Sequence, residues 1–522
     1  MESRQGMEGT HHGRGMRWWP AAVVLFLGAA AMGVVWLDPS RSHQQRNLTA
    51  LATAVFVVPL LLAWWGLLSR APVRARVAGL GGFVGLAALF FSLFRVSGVS
   101  GDLRPIFSWR WHGVPPTPQA AAAASRPGAA DAASVVRADF PQFLGPQRDG
   151  HIRGVELATD WEHRPPVELW RRPVGAGWSG FVVSGDRALT LEQDGGEEVV
   201  SAWHVNTGER IWSSRSPGRY ATTIAGEGPR STPLIVGGRV YALGATGTLS
   251  CLAMADGRLL WRASLTELAR CGVPEWGFAS SPAWVDGKVV VLAGGEKAAW
   301  ALDGETGKVA WSAGSGGANY GSVHVLDGAG GRILAYFSGR AWVALDPKDG
   351  RELWRHPFGA GMPLVAAPVR VTPQRFVLSA GYGVGAEAVE WTAQGPRTVW
   401  SSKKLKAKFA NPVALDGIVC GLDDGILAAV DAGTGEGLWK EGRWGHGQGL
   451  LVGSHYLLMA ETGELVLLQP SRRGPGEITR RKVLDGKAWN PIALAGDLLL
   501  VRNDREAACL RIPLSDASSR KP

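Results

Sequence analysis

Residues Ala301–Trp311 read A-L-D-G-E-T-G-K-V-A-W. Asp303 starts a turn, Gly307 supplies the positive φ that such a turn needs, and Trp311 falls in the strand that follows. The phrase returns along the chain. Gly208 precedes Trp212, Gly257 precedes Trp261, Gly350 precedes Trp354 and Gly435 precedes Trp439, each pair four residues apart. Asn206, Asp256, Asp349 and Thr434 stand shortly ahead of those glycines. Each copy is therefore a hairpin whose second strand carries a tryptophan.

From Trp212 the next copies follow at 49, 50 and 43 residues, and a degenerate copy ending at Trp400 splits the last gap into 46 and 39. A period in the forties with strand signals predicts a β-propeller, in which each repeat supplies about four short strands and no blade buries its own faces. The 71 Gly and 24 Trp suit tight turns and packing between blades.

Two ends of the repeat array predict how the ring closes. Val167–Arg171 looks like an outer strand with no blade before it. The chain's last strands, Ala488–Leu494, Asp497–Val501 and Ala507–Ile512, lack an outer one. Joining them removes two exposed edges. Outer strands then fall near Trp212, Trp261, Trp311, Trp354, Trp400, Trp439, Ile478 and Trp170, which makes an all-β, eight-bladed β-propeller. The count is seven if Glu464–Leu484 is an insertion, since it has neither the Asp-Gly turn nor the closing Trp.

Ahead of the repeats, Trp18–Leu37, Leu48–Leu68 and Val77–Phe94 are uncharged apolar runs of the length that crosses a hydrocarbon core, so three transmembrane helices are expected. Arg4, Arg14 and Arg17 precede the first run, and Arg70, Arg74 and Arg76 lie between the second and third. Those segments are expected in the cytoplasm, with the remainder outside, although Arg41 and Arg46 reduce the contrast. Trp18, Trp19, Trp36, Trp109 and Trp111 suit the interfacial belt. Residues 1–114 thus read as a membrane domain, 115–137 as an Ala/Pro-rich tether too poor in large apolar groups to fold, and 138–522 as the propeller.

The net charge of +10 is not spread evenly. Residues 1–137 hold 13 Arg against 5 acids, leaving 42 basic and 40 acidic residues for the rest. A nearly neutral propeller offers no phosphate-binding field, so no nucleic-acid partner is expected. Cys251, Cys271, Cys420 and Cys509 are far apart, with no C-x-x-C and no haem attachment, and read as small core residues.

Thr232-Pro233, Ser281-Pro282, Ala367-Pro368, Asn411-Pro412 and Asn490-Pro491 mark the innermost strands, because proline cannot donate to a ladder and belongs at a strand start or edge. Residues at or just before these strands converge on one mouth of the channel. They are Trp178, Arg230, Glu275, Trp276, Asn319, Tyr320, Asn411, His446, Trp489 and Asn490. Aromatics with amides and an arginine suit a ligand or a peptide loop. The plainer reading has Asn411 and Asn490 bonding turn backbones, with Trp276 and Trp489 plugging the channel.

The A-L-D-x-x-T-G-x-x-x-W unit resembles the repeat of the pyrroloquinoline-quinone (PQQ)-like propellers, and the match covers about residues 139–520. This group includes quinoprotein alcohol dehydrogenases and the BamB-like subunit of outer-membrane assembly machinery. The opening D-F-P-Q-F-L-G-P-Q-R-D-G at Asp139–Gly150, with Gly226–Pro233 and Pro274–Pro282, is similar to the non-catalytic BamB-like branch. That resemblance implies a membrane-anchored propeller outside the cytoplasmic membrane, binding a protein partner in envelope assembly, with no catalytic residue, metal or cofactor. BamB's lipid-bearing N-terminal cysteine has no counterpart before Cys251, so the three spans are expected to replace it. The rival expectation is a PQQ-dependent membrane-bound dehydrogenase with calcium, a quinoprotein oxidoreductase, although the adjacent cysteines that clamp the quinone in those enzymes are missing. A small-molecule sensor signalling through the helices is a third reading.

Overall fold

A computed structural model describes residues 16–38, 41, 43–111, 139–316, 320–328, 331–392 and 394–515. The chain divides into two units, residues 1–113 and 114–522. The tether expected at 115–137 lies outside the described residues.

The first unit holds helices α1 (Trp19–Leu37), α2 (His43–Ala63) and α3 (Val73–Leu93). A π-helical turn, Trp64–Leu68, prolongs α2. All three are long and apolar enough to span a bilayer, and little of their surface is buried within the protein, as a lipid-facing helix requires. Near the start of α1 the indole of Trp64 donates to the Arg17 carbonyl at 2.8 Å, while the Arg17 N–H donates to Ser69.

The third helix begins at Val73 rather than at the expected Val77, because Arg74 and Arg76 form its first turn. Arg76 donates to the Ala71 carbonyl at 2.7 Å. Counting apolar residues starts such a helix late. Its expected last residue, Phe94, instead begins a hairpin of β1 (Phe94–Val99) and β2 (Pro105–Trp109), which the sequence reading does not anticipate.

In the second unit eight sheets form the propeller. Blade 1 has strands 182–184, 187–194, 197–204 and 210–217. Blades 2 to 6 repeat that meander, with innermost strands at 234–236, 283–285, 324–328, 369–370 and 413–415. Innermost strands touch between blades 8 and 1, 1 and 2, 2 and 3, 3 and 4, and 5 and 6, and so line the channel. Blade 7 is built from 448–452, 455–459, 464–468 and 477–482, which settles the count at eight. The segment lacking the turn and tryptophan signals is a blade, and not an insertion.

Blade 8 takes three strands from the end of the propeller, 493–495, 498–502 and 506–511, and its outer strand, Val167–Pro173, from the beginning. Trp170 stands opposite Cys509 in that antiparallel pair. The closure is the expected one, although the innermost strand starts at Ala493, later than Ala488. Arg502 reinforces it: buried in blade 8, its guanidinium donates to Thr190 Oγ1, Leu191 O and Gly175 O, each at 2.8 Å, across the seam to blade 1.

The repeat tryptophans join each blade to the next. The indole N–H of Trp170, Trp212, Trp261, Trp311, Trp400 and Trp439 donates to Val205, Met254, Gly304, Pro347, Ala432 and Ser471, respectively, at 2.7–3.1 Å. Trp354 breaks the series. Blade 5 lacks the repeat glycine, and the Trp354 indole N–H is buried without a partner, packed instead against Trp342 and Trp391.

Candidate functional site at the channel mouth

Each connection from an outer strand to the next innermost strand crosses the same end of the ring. The other end receives residues 139–152. Asp139 accepts from Ser184 Oγ and the Gly185 N–H, both at 3.0 Å, and Phe140 pairs with Val183. Pro141 accepts from Ile235 at 2.8 Å. The buried Arg148 guanidinium donates to Ser281 O (2.7 Å), Pro282 O (3.0 Å) and Val323 O (2.9 Å). His151–Ile152 then pairs in parallel with Leu451–Val452. The D-F-P-Q-F-L-G-P-Q-R-D-G segment is thus a plug laid on the inner strands of blades 1, 2, 3, 4 and 7, at the end opposite the mouth where the outer-to-inner connections cross.

Below that mouth runs a belt of polar groups just ahead of the innermost strands. Gly180 N–H donates to Thr232 Oγ1 at 3.2 Å, Thr232 N–H to Ser281 Oγ at 2.9 Å, and Ser281 N–H to Ser322 Oγ at 2.9 Å. Farther round, Ala367 N–H donates to Asn411 Oδ1 at 2.8 Å. Asn490 Nδ2 donates to Gly177 O at 3.0 Å and to Ser179 O at 2.8 Å. Asn411 and Asn490 are therefore buried latches between blades. This agrees with their plainer reading, except that the backbone they hold belongs to the neighbouring blade.

Above the belt two aromatic groups gather. In the first, the rings of Trp178 and Trp489 lie 5.1 Å apart, and Phe409 stands 5.3 Å from Trp489 and 5.0 Å from His446. Lys487 Nζ sits 3.8 Å over Trp489 and 4.7 Å over Trp178, within cation–π range of both. In the second, Trp276 and Tyr320 are 4.8 Å apart, and the Arg230 guanidinium lies 4.5 Å over Tyr220. The Tyr220 hydroxyl donates to the Glu275 carbonyl. One backbone atom ties the groups together: Ala225 O accepts from Trp178 Nε1 at 2.8 Å and from Arg230 Nη2 at 2.7 Å.

Of the expected residues, Trp178, Arg230, Trp276, Tyr320, His446 and Trp489 gather here. Glu275 contributes its carbonyl and leaves its side chain exposed on the rim. Asn319 lies outside the described residues. Tyr220, Phe409 and Lys487 escape the sequence reading, as does the buried Lys408, whose ammonium lies 5.8 Å over the Tyr382 ring. A signal for both lysines exists: Lys408-Phe409-Ala410-Asn411-Pro412 and Lys487-Ala488-Trp489-Asn490-Pro491 share K-x-x-N-P.

Burial dominates the electrostatics of the mouth. Desolvation lowers the Arg230 pKa to about 10 and pushes Lys487 below the ordinary lysine value. Burial raises Tyr220 and Tyr320, and raises Tyr382 to about 12. On the same face the carboxylates of Asp423 and Asp424 are buried, but Lys440 and Lys406 approach Asp423 at 2.9 and 3.2 Å, and Lys406 and Lys408 approach Asp424 at 3.6 Å. Such a surface can hold an anionic or aromatic group between indoles and fixed cations.

The sequence pattern of the family described as "Outer membrane protein assembly factor BamB" matches residues 161–323, 196–417 and 338–497. The outer membrane protein assembly factor BamB of Burkholderia pseudomallei (strain K96243) is 25% identical over 362 residues, 64% of this chain and 84% of that protein. Among solved structures, BamB from Moraxella catarrhalis has a TM-score of 0.50 at 15% identity, covering 66% of this chain and all of that one. Quinohemoprotein alcohol dehydrogenase from Comamonas testosteroni has a TM-score of 0.50 at 13% identity, covering 74% of this chain and 81% of that one. At these identities the solved structures share the fold.

Proposed function

This chain belongs to the outer membrane protein assembly factor BamB family, and from that premise we propose that it is a non-enzymatic binding platform of the cell envelope. The three apolar helices anchor it in the cytoplasmic membrane, and the propeller lies on the outer side, where its mouth takes a loop of a protein partner. The observation that carries the reading is the mouth itself. Aromatic faces and three cations, Arg230, Lys408 and Lys487, surround an entrance whose far end is closed by the chain's own plug.

A paired substitution, Arg230→Ala with Trp276→Ala, tests it. Recovery of a partner from crosslinked membranes should fall while the melting curve is unchanged. Full recovery by the folded variant moves the binding surface elsewhere on the propeller. For the orientation, a phosphatase fused after Val136 should be active, whereas an active cytoplasmic reporter there reverses it.

The second reading, a quinoprotein dehydrogenase, draws on the fold shared with the quinohemoprotein enzyme and on the same cationic, aromatic mouth. Its calcium does not fit the acids present, since Asp423 and Asp424 already face lysine ammoniums. All four cysteines are free, and the nearest two in sequence, Cys251 and Cys271, are not adjacent, so no pair clamps a quinone. Titration with PQQ and calcium, followed by absorbance and by dye reduction with a primary alcohol supplied as the electron donor, separates the readings: alcohol-dependent dye reduction through the bound quinone overturns the platform.

A further inference from the structure

We propose that the hairpin β1–β2 is a second, peripheral membrane anchor. On this reading it lies in the headgroup layer with an aromatic face against the hydrocarbon boundary and its arginines on the phosphates of anionic lipids. The inference goes beyond the proposed binding function and rests only on the three helices spanning a membrane.

Continuity with α3 places the hairpin. No linker separates them: Leu93 ends the helix, Phe94 begins β1, and the Phe94 N–H still donates to Phe90 O. The hairpin also does not project away. At its tip the Asp102 carbonyl accepts from Asn47 Nδ2 in the second turn of α2 at 2.8 Å. Strands held at both ends to the termini of membrane helices lie along the surface that those helices enter.

The two faces of the hairpin then differ in the way an interface demands. Register puts Phe94 opposite Trp109 and Val96 opposite Phe107. Phe94 and Trp109 rings are 5.2 Å apart, and Phe107 meets Phe90 in the last turn of α3 edge to face at 5.3 Å. This face is continuous with the lipid-facing helix, yet Val96, Phe107 and Trp109 remain 49%, 48% and 39% exposed. A two-stranded hairpin with an open apolar face is marginal in water, whereas indoles and phenyl rings are favoured at the membrane–water boundary. Arg95 takes the other face and donates to Ser108 Oγ at 3.3 Å. Arg104 and Arg110 are exposed at the tip and beyond β2. At this end of the helices the Asp38 carboxylate is already paired with Arg41, Arg46 donates to the Asp38 backbone carbonyl, and Asp102 is buried. Positive charge is in excess, and a leaflet carrying anionic phosphates complements it.

The test uses the full chain in vesicles, with Cys271→Ser to remove the half-exposed thiol and a spin label on a cysteine at 107, 108 or 109, or at 86 inside α3. A water-soluble nickel chelate reports exposure. Labels at 107 and 109 should be shielded and the label at 108 open. Shielding at 107 should be stronger with phosphatidylglycerol present than in phosphatidylcholine alone. The combined variant Arg95→Gln, Arg104→Gln, Arg110→Gln should lose that lipid dependence. The proposal falls if 107 is as open as 108 in phosphatidylglycerol vesicles, or if the lipid dependence is unchanged in the triple variant. The label at 86 keeps these outcomes distinct from failure of the spans, because it stays buried as long as α3 crosses the bilayer. Inorganic phosphate added in solution should leave the pattern unchanged, and loss of shielding on its addition overturns a lipid site in favour of a free-anion site.

Discussion

The indole of Trp261 in blade 2 lies against the bare α-carbon of Gly307 in blade 3, so closely that a Cβ there would come within 2.6 Å of the ring. Gly307 has φ +72°, and the indole N–H donates to Gly304 at 3.0 Å. The glycine thus serves the hairpin and the blade junction at once. Gly307→Ala should destabilise the propeller by about 2–4 kcal/mol. Gly287→Ala is the control, since Gly287 has φ +78° and nothing within 4 Å of the added methyl, leaving a backbone cost of about 1 kcal/mol. Urea unfolding of both variants measures the difference, and equal losses would mean the tryptophan contact contributes nothing.

Closure of the ring makes Trp170 as consequential as any repeat tryptophan. It is buried at the seam, with its indole N–H 2.7 Å from Val205 O. Trp170→Ala should cost about 3–5 kcal/mol. Deleting residues 138–172 should do more, since it strips the outer strand from blade 8, leaves Glu506–Arg511 as an open edge, and removes the plug. Light scattering should then show self-association through that edge; a monomer with unchanged melting would place the closure elsewhere.

Arg148 and His324 give the propeller an acid-sensitive joint. Burial, helped by the nearby Arg148 charge, lowers the His324 pKa from 6.5 to about 3. Between those values the unfolded chain binds a proton that the folded one refuses. His324 therefore subtracts nothing above pH 6.5, and stability is lost as pH falls toward about 3, at about 1.4 kcal/mol per pH unit. His324→Gln should flatten the urea midpoint between neutral and acidic pH relative to the parent. Identical pH slopes in the two proteins would show that His324 takes up its proton in the folded state as readily as in the unfolded one.

Turn chemistry made most of the propeller readable. A glycine four residues before a tryptophan fixes a hairpin and its packing partner together, and the orphan strand at Val167 led to the closure. Blade 7 shows the limit, because Glu464–Leu468 and Glu477–Lys482 pair without either signal; neighbours on both sides supply what the local sequence lacks. The start of α3 was hidden by arginines that a helix end tolerates, and β1–β2 by strands too short to show alternation. At the mouth, Trp178 and Trp489 were legible as out-of-place aromatics ahead of inner strands. Lys487 is marked only by the K-x-x-N-P it shares with Lys408, since a single lysine beside a tryptophan otherwise reads as surface until the ring brings a second indole over it.

Lys487 is also where the mouth can be examined most directly. Its ammonium stands between Trp489 and Trp178, and burial is the largest cause of its lowered pKa, with Arg230 adding to it and Asp504 and Glu461 opposing. After reductive methylation with a carbon-13 label, its dimethylamine resonance should titrate below the ordinary range for a dimethylated lysine. Trp489→Ala should move the midpoint upward, since the water admitted relieves the dominant desolvation even as one cation–π contact is lost. An ordinary midpoint in the parent protein would mean that the mouth is wet, and its cations would then be screened charges of little use to a partner. Lys487→Met separates charge from shape: the thioether can fill the space between the indoles, so the melting curve should hold. Partner recovery that falls with the curve unchanged would assign recognition to the charge, and recovery that survives would assign it to the aromatic walls.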